Sequence, residues 1–487
     1  MIFSSVIFLC YFFPAVLLLY YSCRFSRLLQ NIILMVASLI FYAWGEPVYV
    51  LLMITSILVN SLMGYAVQNS KRTWKKIWLW IAVILNLGTL FIFKYLAFVC
   101  ESTGLFSSGI IPTFSMALPI GISFFTFQAL SYVVDVYRGD SKAANPFIVG
   151  LYISFFPQLI AGPIVTYNSV EDQIYHRKET FNKFSLGISR FSVGLVKKVL
   201  LANCFAVLAD KIFGWSAVGT DLYAVPALMA WLGAIAYMLQ IYFDFSAYSD
   251  MAIGLGLCFG FKFCENFNYP YIATSVTDFW KRWHISLTSW FRDYIYIPLG
   301  GNRNANQDLM VRNIFIVWLF TGIWHGANWT FIIWGLYYFV LQLIERFTGL
   351  DKKLKDKWYG HVITLLIVML GWIVFRSDNL YQAGRYIMNL FMLNNNGFMS
   401  ELTYFLIREN LLPLFAGILF SMPIGRMVNR ILYKLDIGQK SPNILPGRNL
   451  TKNLITIGYP VALGLLVIVC FSYLVIGSYN PFIYFNF

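Results

Sequence analysis

Residues Thr321 to Trp334 read Thr-Gly-Ile-Trp-His-Gly-Ala-Asn-Trp-Thr-Phe-Ile-Ile-Trp, an almost wholly apolar stretch interrupted by one imidazole, His325. The apolar run around it reaches from Asn313 to Glu345. As one continuous helix that run would measure roughly 50 Å at 1.5 Å per residue. This is too long for one crossing of a ~30 Å hydrocarbon layer and too short for two. Both flanks are basic, with Arg303 and Arg312 before and Arg346, Lys352, Lys353, Lys355 and Lys357 after. A helix pair broken near Gly322 to Gly326, entering and returning on the cytoplasmic side, satisfies both constraints. Non-helical backbone at that depth is tolerated only where it is buried in protein or lines a cavity, so the break predicts His325 near mid-membrane on a cavity floor. The chain has four histidines in 487 residues. Ionisable groups at membrane depth usually mark pathways or reacting centres, and imidazole is the side chain best suited to exchange a proton near neutral pH. Taken alone, His325 reads equally as a structural histidine that hydrogen-bonds a neighbouring helix.

The rest of the chain fits this setting. Hydrophobic residues make up 59% and charged residues 12%, and mean hydropathy is +0.66. A soluble domain carries roughly a quarter charged residues. The net charge of +14 comes from short Lys/Arg clusters between apolar runs, which is the positive-inside pattern of a membrane protein rather than a nucleic-acid surface. The predicted class is therefore all-α and polytopic, with about 10–11 transmembrane helices and re-entrant pieces. Spans are expected at 2–21, 28–44, 48–67, 77–99, 199–215, 225–243, 360–375, 411–424 and 454–476, and 119–132 crosses or re-enters. Basic and non-basic loops alternate, which places both termini outside the cell membrane, with Arg72 cytoplasmic and Glu101 external. The first run has no basic leader and no cleavage site, so it reads as a retained span. Arg177 to Lys198 mixes six basic residues with Phe, Leu and Val, as an amphipathic helix in the cytoplasmic interface would. Seven scattered cysteines show neither disulfide nor zinc spacing, so no metal is expected.

Two further constellations are polar within apolar surroundings. Gln240 to Gly256 carries Asp244 and Asp250 among serines and tyrosines. A carboxylate there can orient a catalytic imidazole or pair with Lys or Arg as a structural acid. Asp278 to Arg303 reads Asp-Phe-Trp-Lys-Arg-Trp-His-Ile-Ser-Leu-Thr-Ser-Trp-Phe-Arg-Asp-Tyr-Ile-Tyr-Ile-Pro-Leu-Gly-Gly-Asn-Arg. Its mix of aromatics with Lys and Arg fits an interfacial anchor and equally a contact for a phosphate-rich donor.

These pieces together resemble the membrane-bound O-acyltransferase family. Asp278 to Leu287 matches its first motif, with the histidine at His284. Trp324 to Trp329, Trp-His-Gly-Ala-Asn-Trp, carries at His325 the residue regarded as catalytic in the family. The resemblance is greatest to the alginate O-acetyltransferase branch, through Tyr242 to Gly256, Glu265 to Tyr271 and Tyr296 to Arg303, and through Leu118 to Gln128. The D-alanyl transfer branch of teichoic-acid modification shares Arg-Trp-His and Phe-Arg-Asp-Tyr-Ile-Tyr and is the alternative within the family. The resemblance implies one membrane domain over 1–487, with N-terminal spans to 112, a catalytic core at 113–376 and C-terminal spans beyond.

It also implies an acetyltransferase that moves acetyl from cytoplasmic acetyl-CoA to an outer polysaccharide hydroxyl, or to a partner acetyltransferase. Acetyl-CoA is then a substrate, and no tightly bound cofactor is expected. His325 is the expected general base and His284 the second catalytic candidate. Asn328, three residues on, is read on the same helical face, steadying the imidazole or an oxyanion. Asp244, Asp250 and Trp324 are supporting candidates. Lys281, Arg282, Arg292 and Arg303 are candidate contacts for CoA phosphates. A proton-coupled transporter also places Asp and His in the membrane, although no inverted repeat is evident. A non-catalytic scaffold of an exopolysaccharide machine is the third reading.

Overall fold

The computed structural model describes residues 1–109, 111–114, 116–160, 162–217, 225–301, 307–427, 447–477 and 479–480, without the side chains of 215–217 and 447–457. Every regular element among them is helical, as expected where hydrocarbon offers the backbone no hydrogen-bond partner. Among the described residues, eight helices are long and apolar enough to cross a membrane. They include α1 (Arg27–Gly45), α2 (Tyr49–Asn69) and α3 (Arg72–Leu90). The last continues through a π-helical turn, Phe91–Tyr95, to Ser102. Their outward faces are apolar: Leu51, Leu62, Trp80, Ile84, Leu412, Phe415, Leu465 and Ile468 are each more than 60% exposed. Such a contiguous apolar exterior is a lipid-facing surface. Phe8–Ser22, expected to cross, and α4 (Ile122–Arg138), expected to cross or re-enter, are shorter than the eight.

The centre is α7 (Ala227–Cys258), 32 residues with nearly every side chain buried. Packed along it is α5 (Phe181–Val196), which runs through a π turn at Lys197–Ala202 into α6 (Asn203–Ala217). The expected interfacial helix at 177–198 is therefore the first half of a long helix against the core. Glycines set the approach: a Cβ on Gly187 would stand 2.7 Å from the Gly254 carbonyl, and one on Gly194 2.7 Å from that of Ala247. Three of the six basic residues of this stretch turn inward because α7 supplies acids. Arg190 and Lys197 bind Asp250 at 2.9 and 2.7 Å, and Lys198 binds Asp244 at 2.7 Å with both side chains 1% exposed.

Two short helices, α8 (Val276–Arg282) and α9 (Ile285–Phe291), precede the hairpin formed by α10 (Gln307–His325) and α11 (Trp329–Thr348). The break expected near Gly322 to Gly326 falls just after His325. The hairpin as a whole is longer than the apolar run, because polar ends at Gln307 to Arg312 and Arg346 to Thr348 prolong its two helices. At 19 and 20 residues, each arm measures roughly 30 Å, so length alone does not require a half-depth excursion. The arms meet where a Cβ on Gly322 would lie 2.5 Å from the Phe331 carbonyl, and one on Gly335 2.5 Å from that of Trp318. Behind them stands α12 (Trp358–Arg376).

Candidate active site

The site is built on the carboxyl end of α10. A helix leaves its last four carbonyls without intrahelical partners. Here Tyr95 Oη donates to the Ile323 carbonyl at 2.8 Å. Lys94 Nζ donates to those of Trp324 and His325 at 2.7 and 3.3 Å, and to Ser123 Oγ at 3.3 Å. His325 ends the helix, and its 7% exposed ring has three aromatic neighbours at near-perpendicular angles. These are Trp324 at 4.9 Å, Trp334 at 5.0 Å and Phe375 at 5.1 Å between centroids. Its Nδ1 has no hydrogen-bond partner among the described residues. The ring borders a cavity of about 70 Å³ whose other polar walls are Lys94 and Ser123, with Pro119, Ile120, Phe124 and Trp324 among the apolar ones.

His284 is a further neighbour of Trp324, whose ring lies 6.2 Å from it. It precedes α9 in a left-handed conformation, φ 44°, which for a non-glycine residue stores about 1–3 kcal/mol of strain and is found where function demands it. Asn266 holds it there. Its Oδ1 accepts from Ser286 N at 3.2 Å and Ser286 Oγ at 2.9 Å, and faces His284 Nδ1 at 3.1 Å. Because a backbone N–H can only donate, that atom is the carbonyl oxygen, and His284 Nδ1 must carry the proton. The lone pair is then on Nε2, which has no protein partner among the described residues. Phe245 closes the remaining side, 4.6 Å from the ring.

Trp324 thus joins the two imidazoles, and it stacks on Phe127 at 5.5 Å, which stacks on Trp290 at 3.8 Å. Three expected supports stand elsewhere. Asp244 is taken by Lys198, and Asp250 by Arg190 and Lys197, so neither carboxylate orients an imidazole and the structural-acid alternative describes both. Asn328 is not on the face of His325, because the helix stops between them. Its Oδ1 accepts from Thr330 N at 3.1 Å as the N-cap of α11, and its Nδ2 donates to the Asp378 carbonyl at 2.8 Å. Asn328→Ala is accordingly expected to lower stability by about 0.5–2 kcal/mol, the usual effect of losing such a cap, while kcat per folded molecule changes little. Thermal unfolding measured beside acyl-transfer kinetics checks this, and a large kcat loss at unchanged stability would restore the catalytic role.

Three of the candidate donor contacts, Lys281, Arg282 and Arg292, do not line the cavity. Arg282 pairs with Asp278 at 2.9 Å and Arg292 with Asp293 at 2.7 Å, while Lys281 is exposed. Arg303 lies outside the described residues. Arg138, at the far end of α4 from the cavity, donates to the Asp293 carbonyl at 2.8 Å. With 17 residues in α4, this sets the Arg292 turn roughly 25 Å along the helix from Gly121 at the cavity wall. Sequence reasoning missed Lys94, Tyr95 and Asn266. A lysine inside an apolar span was the visible signal for Lys94, and Asn266 sat unassigned in the Glu265 to Tyr271 motif.

Comparison with known proteins agrees with the geometry. A family model described as MBOAT, membrane-bound O-acyltransferase family, matches residues 140–376, which hold both histidines. The chain is 44% identical over 400 residues to a probable alginate O-acetylase of Pseudomonas aeruginosa, covering 79% of this chain and 74% of that protein. A peptidoglycan O-acetyltransferase of Helicobacter pylori is 31% identical over 526 residues, covering 100% and 98% respectively. A teichoic acid D-alanyltransferase of Bacillus subtilis is 31% identical over 274 residues, covering 53% and 68%. A multi-pass helical chain with this likeness over most of its length belongs to the membrane-bound O-acyltransferase family and is an O-acyltransferase.

Proposed function

We propose that the protein transfers acetyl from cytoplasmic acetyl-CoA to a hydroxyl outside the membrane, with His325 as general base. The acceptor is an exopolysaccharide or cell-wall polymer of the kind named in the alginate and peptidoglycan relatives, or a partner acetyltransferase that passes the group on. The observation that carries this reading is the placement of His325, a buried imidazole without a partner at Nδ1, at the edge of a small cavity. An imidazole nitrogen there takes the proton of the attacking hydroxyl as its oxygen adds to the thioester carbonyl. The C–S bond then breaks, and the proton passes to the departing thiolate. A cavity of about 70 Å³ holds several water molecules and so has room for a two-carbon acyl group beside His325.

The two ends of the site support a direction. From Lys76 to Lys94 the helix measures roughly 27 Å, and from Arg312 to His325 roughly 20 Å, at 1.5 Å per residue. With the basic ends cytoplasmic, His325 sits in the outer half of the membrane, and Arg282 and Arg292 on the inner side. CoA phosphates cannot enter hydrocarbon, so they stay near those arginines while the acyl-pantetheine arm extends past the Trp290–Phe127–Trp324 stack. In sealed vesicles of known orientation, acetyl-CoA is expected to support acetylation only from the face bearing Arg72. Use from the face bearing Glu101 alone would overturn the direction. Failure of purified protein to release CoA or move labelled acetyl to alginate, peptidoglycan or a partner would overturn the acetyl donor.

A further inference from the structure

Lys94 is a charge that the reaction above leaves without a role. It interrupts the run Phe-Ile-Phe-Lys-Tyr-Leu from Phe91 to Leu96, where an ammonium is costly unless protein groups solvate it. The helix opens at this point into the π turn Phe91–Tyr95, a feature found mostly at functional sites. An ammonium has three protons, and Lys94 Nζ has three acceptors: the carbonyls of Trp324 and His325 and Ser123 Oγ. It also lies 5.9 Å from the Trp324 ring centre. Tyr95, the next residue, takes the Ile323 carbonyl. Consecutive side chains of one turn therefore hold three of the four carbonyls that α10 leaves open. A cation at the negative end of a helix dipole is favourable there.

We infer that Lys94, seconded by Tyr95, is a positioning residue of the acyl-transfer site. Its ammonium clamps the carboxyl end of α10, and that clamp fixes where the His325 ring meets the cavity. With its three protons engaged on protein oxygens, Lys94 does not touch the reacting atoms; it acts through His325, so the inference rests on the reading of His325 as base. Ser123, its third acceptor, lines the same cavity, which ties the start of α4 to the same clamp. A displacement of about 1 Å in a general base lowers rate by roughly 10²-fold, so loosening this end of α10 acts on turnover rather than on donor binding.

The test compares K94M, K94R, Y95F and H325A in the full chain, with kcat and KM measured for acetyl-CoA and stability followed by thermal unfolding. K94M is expected to lower kcat by about 10- to 100-fold with the KM for acetyl-CoA within about threefold of wild type, the pattern of a defect confined to the transition state. K94R keeps the charge and recovers part of the loss, and Y95F lowers kcat by roughly three- to tenfold. Folded K94M with wild-type kcat overturns the inference. So does a rise in KM alone, which makes Lys94 a donor contact, or a loss of folded protein at unchanged kcat per molecule, which makes it a structural anchor. If K94M does not fold, Y95F decides by the same criteria. Wild-type turnover by H325A would instead remove the base and the clamp's purpose with it, whereas inactive H325A beside fully active K94M rejects the clamp alone.

Discussion

His325→Ala is expected to lower kcat for acetyl transfer by about 10²- to 10⁴-fold, the range a positioned general base supplies. The protein should remain inserted and monodisperse. The ring makes aromatic contacts with Trp324, Trp334 and Phe375, so its removal leaves a space whose cost is about 2 kcal/mol, the low end for a buried truncation, since one side already faces the cavity. Among the described residues no hydrogen bond is lost with the side chain, because α10 is capped through main-chain carbonyls by Lys94 and Tyr95. Activity and stability therefore separate: kcat falls by orders of magnitude while the unfolding transition shifts by a few degrees. Acetylation at the wild-type rate by a folded variant removes His325 from its role. His284 answers differently, because its Nδ1 is committed to Asn266 and its substitution also releases the left-handed turn before α9.

The class and the break were legible because each rests on local pattern. Long apolar runs announce membrane helices, and Trp-His-Gly-Ala-Asn announces a helix end followed by a new N-cap. That same signal assigns Asn328 to capping, and reading it as a helical neighbour of His325 ignored the intervening glycine. Lys94 was visible as a lone charge in a span, but two of its three acceptors are backbone carbonyls some 230 residues away, which no periodicity reveals. The stretch at 177–198 was misread through its charge count. Gly187, Arg190, Gly194 and Lys197 follow one another at helical spacings of three and four, so glycines and cations share one face. A face that alternates small residues with charges belongs against another helix bearing acids, as α7 shows with Asp244 and Asp250. Aromatic-and-basic composition between Asp278 and Arg303 gave the right neighbourhood for His284 but not which residues reach the cavity, since burial there is decided by α4 and α10.

Lys198→Met is expected to be among the most destabilising single changes in the core. Lys198 and Asp244 are each 1% exposed and meet at 2.7 Å, deep between α5–α6 and α7. Removing one member breaks a buried ion pair, which typically costs about 3–5 kcal/mol. The attraction between the two charges is largely offset by the desolvation of both, so the intact pair contributes far less than that loss. Asp244→Asn alone should therefore be nearly as damaging as Lys198→Met, because it breaks the same buried contact from the other side. The double variant Lys198→Met/Asp244→Asn should be more stable than either single change, giving a coupling of several kcal/mol of the sign expected for contacting charges. Thermal or denaturant unfolding of the three purified variants measures it. If the two single losses simply add in the double variant, Lys198 and Asp244 are not energetically paired, and Asp244 returns as a candidate for a role at the site. A rescued double variant that transfers acetyl at the wild-type rate per folded molecule places the pair in the scaffold that holds α7, apart from the chemistry at His325.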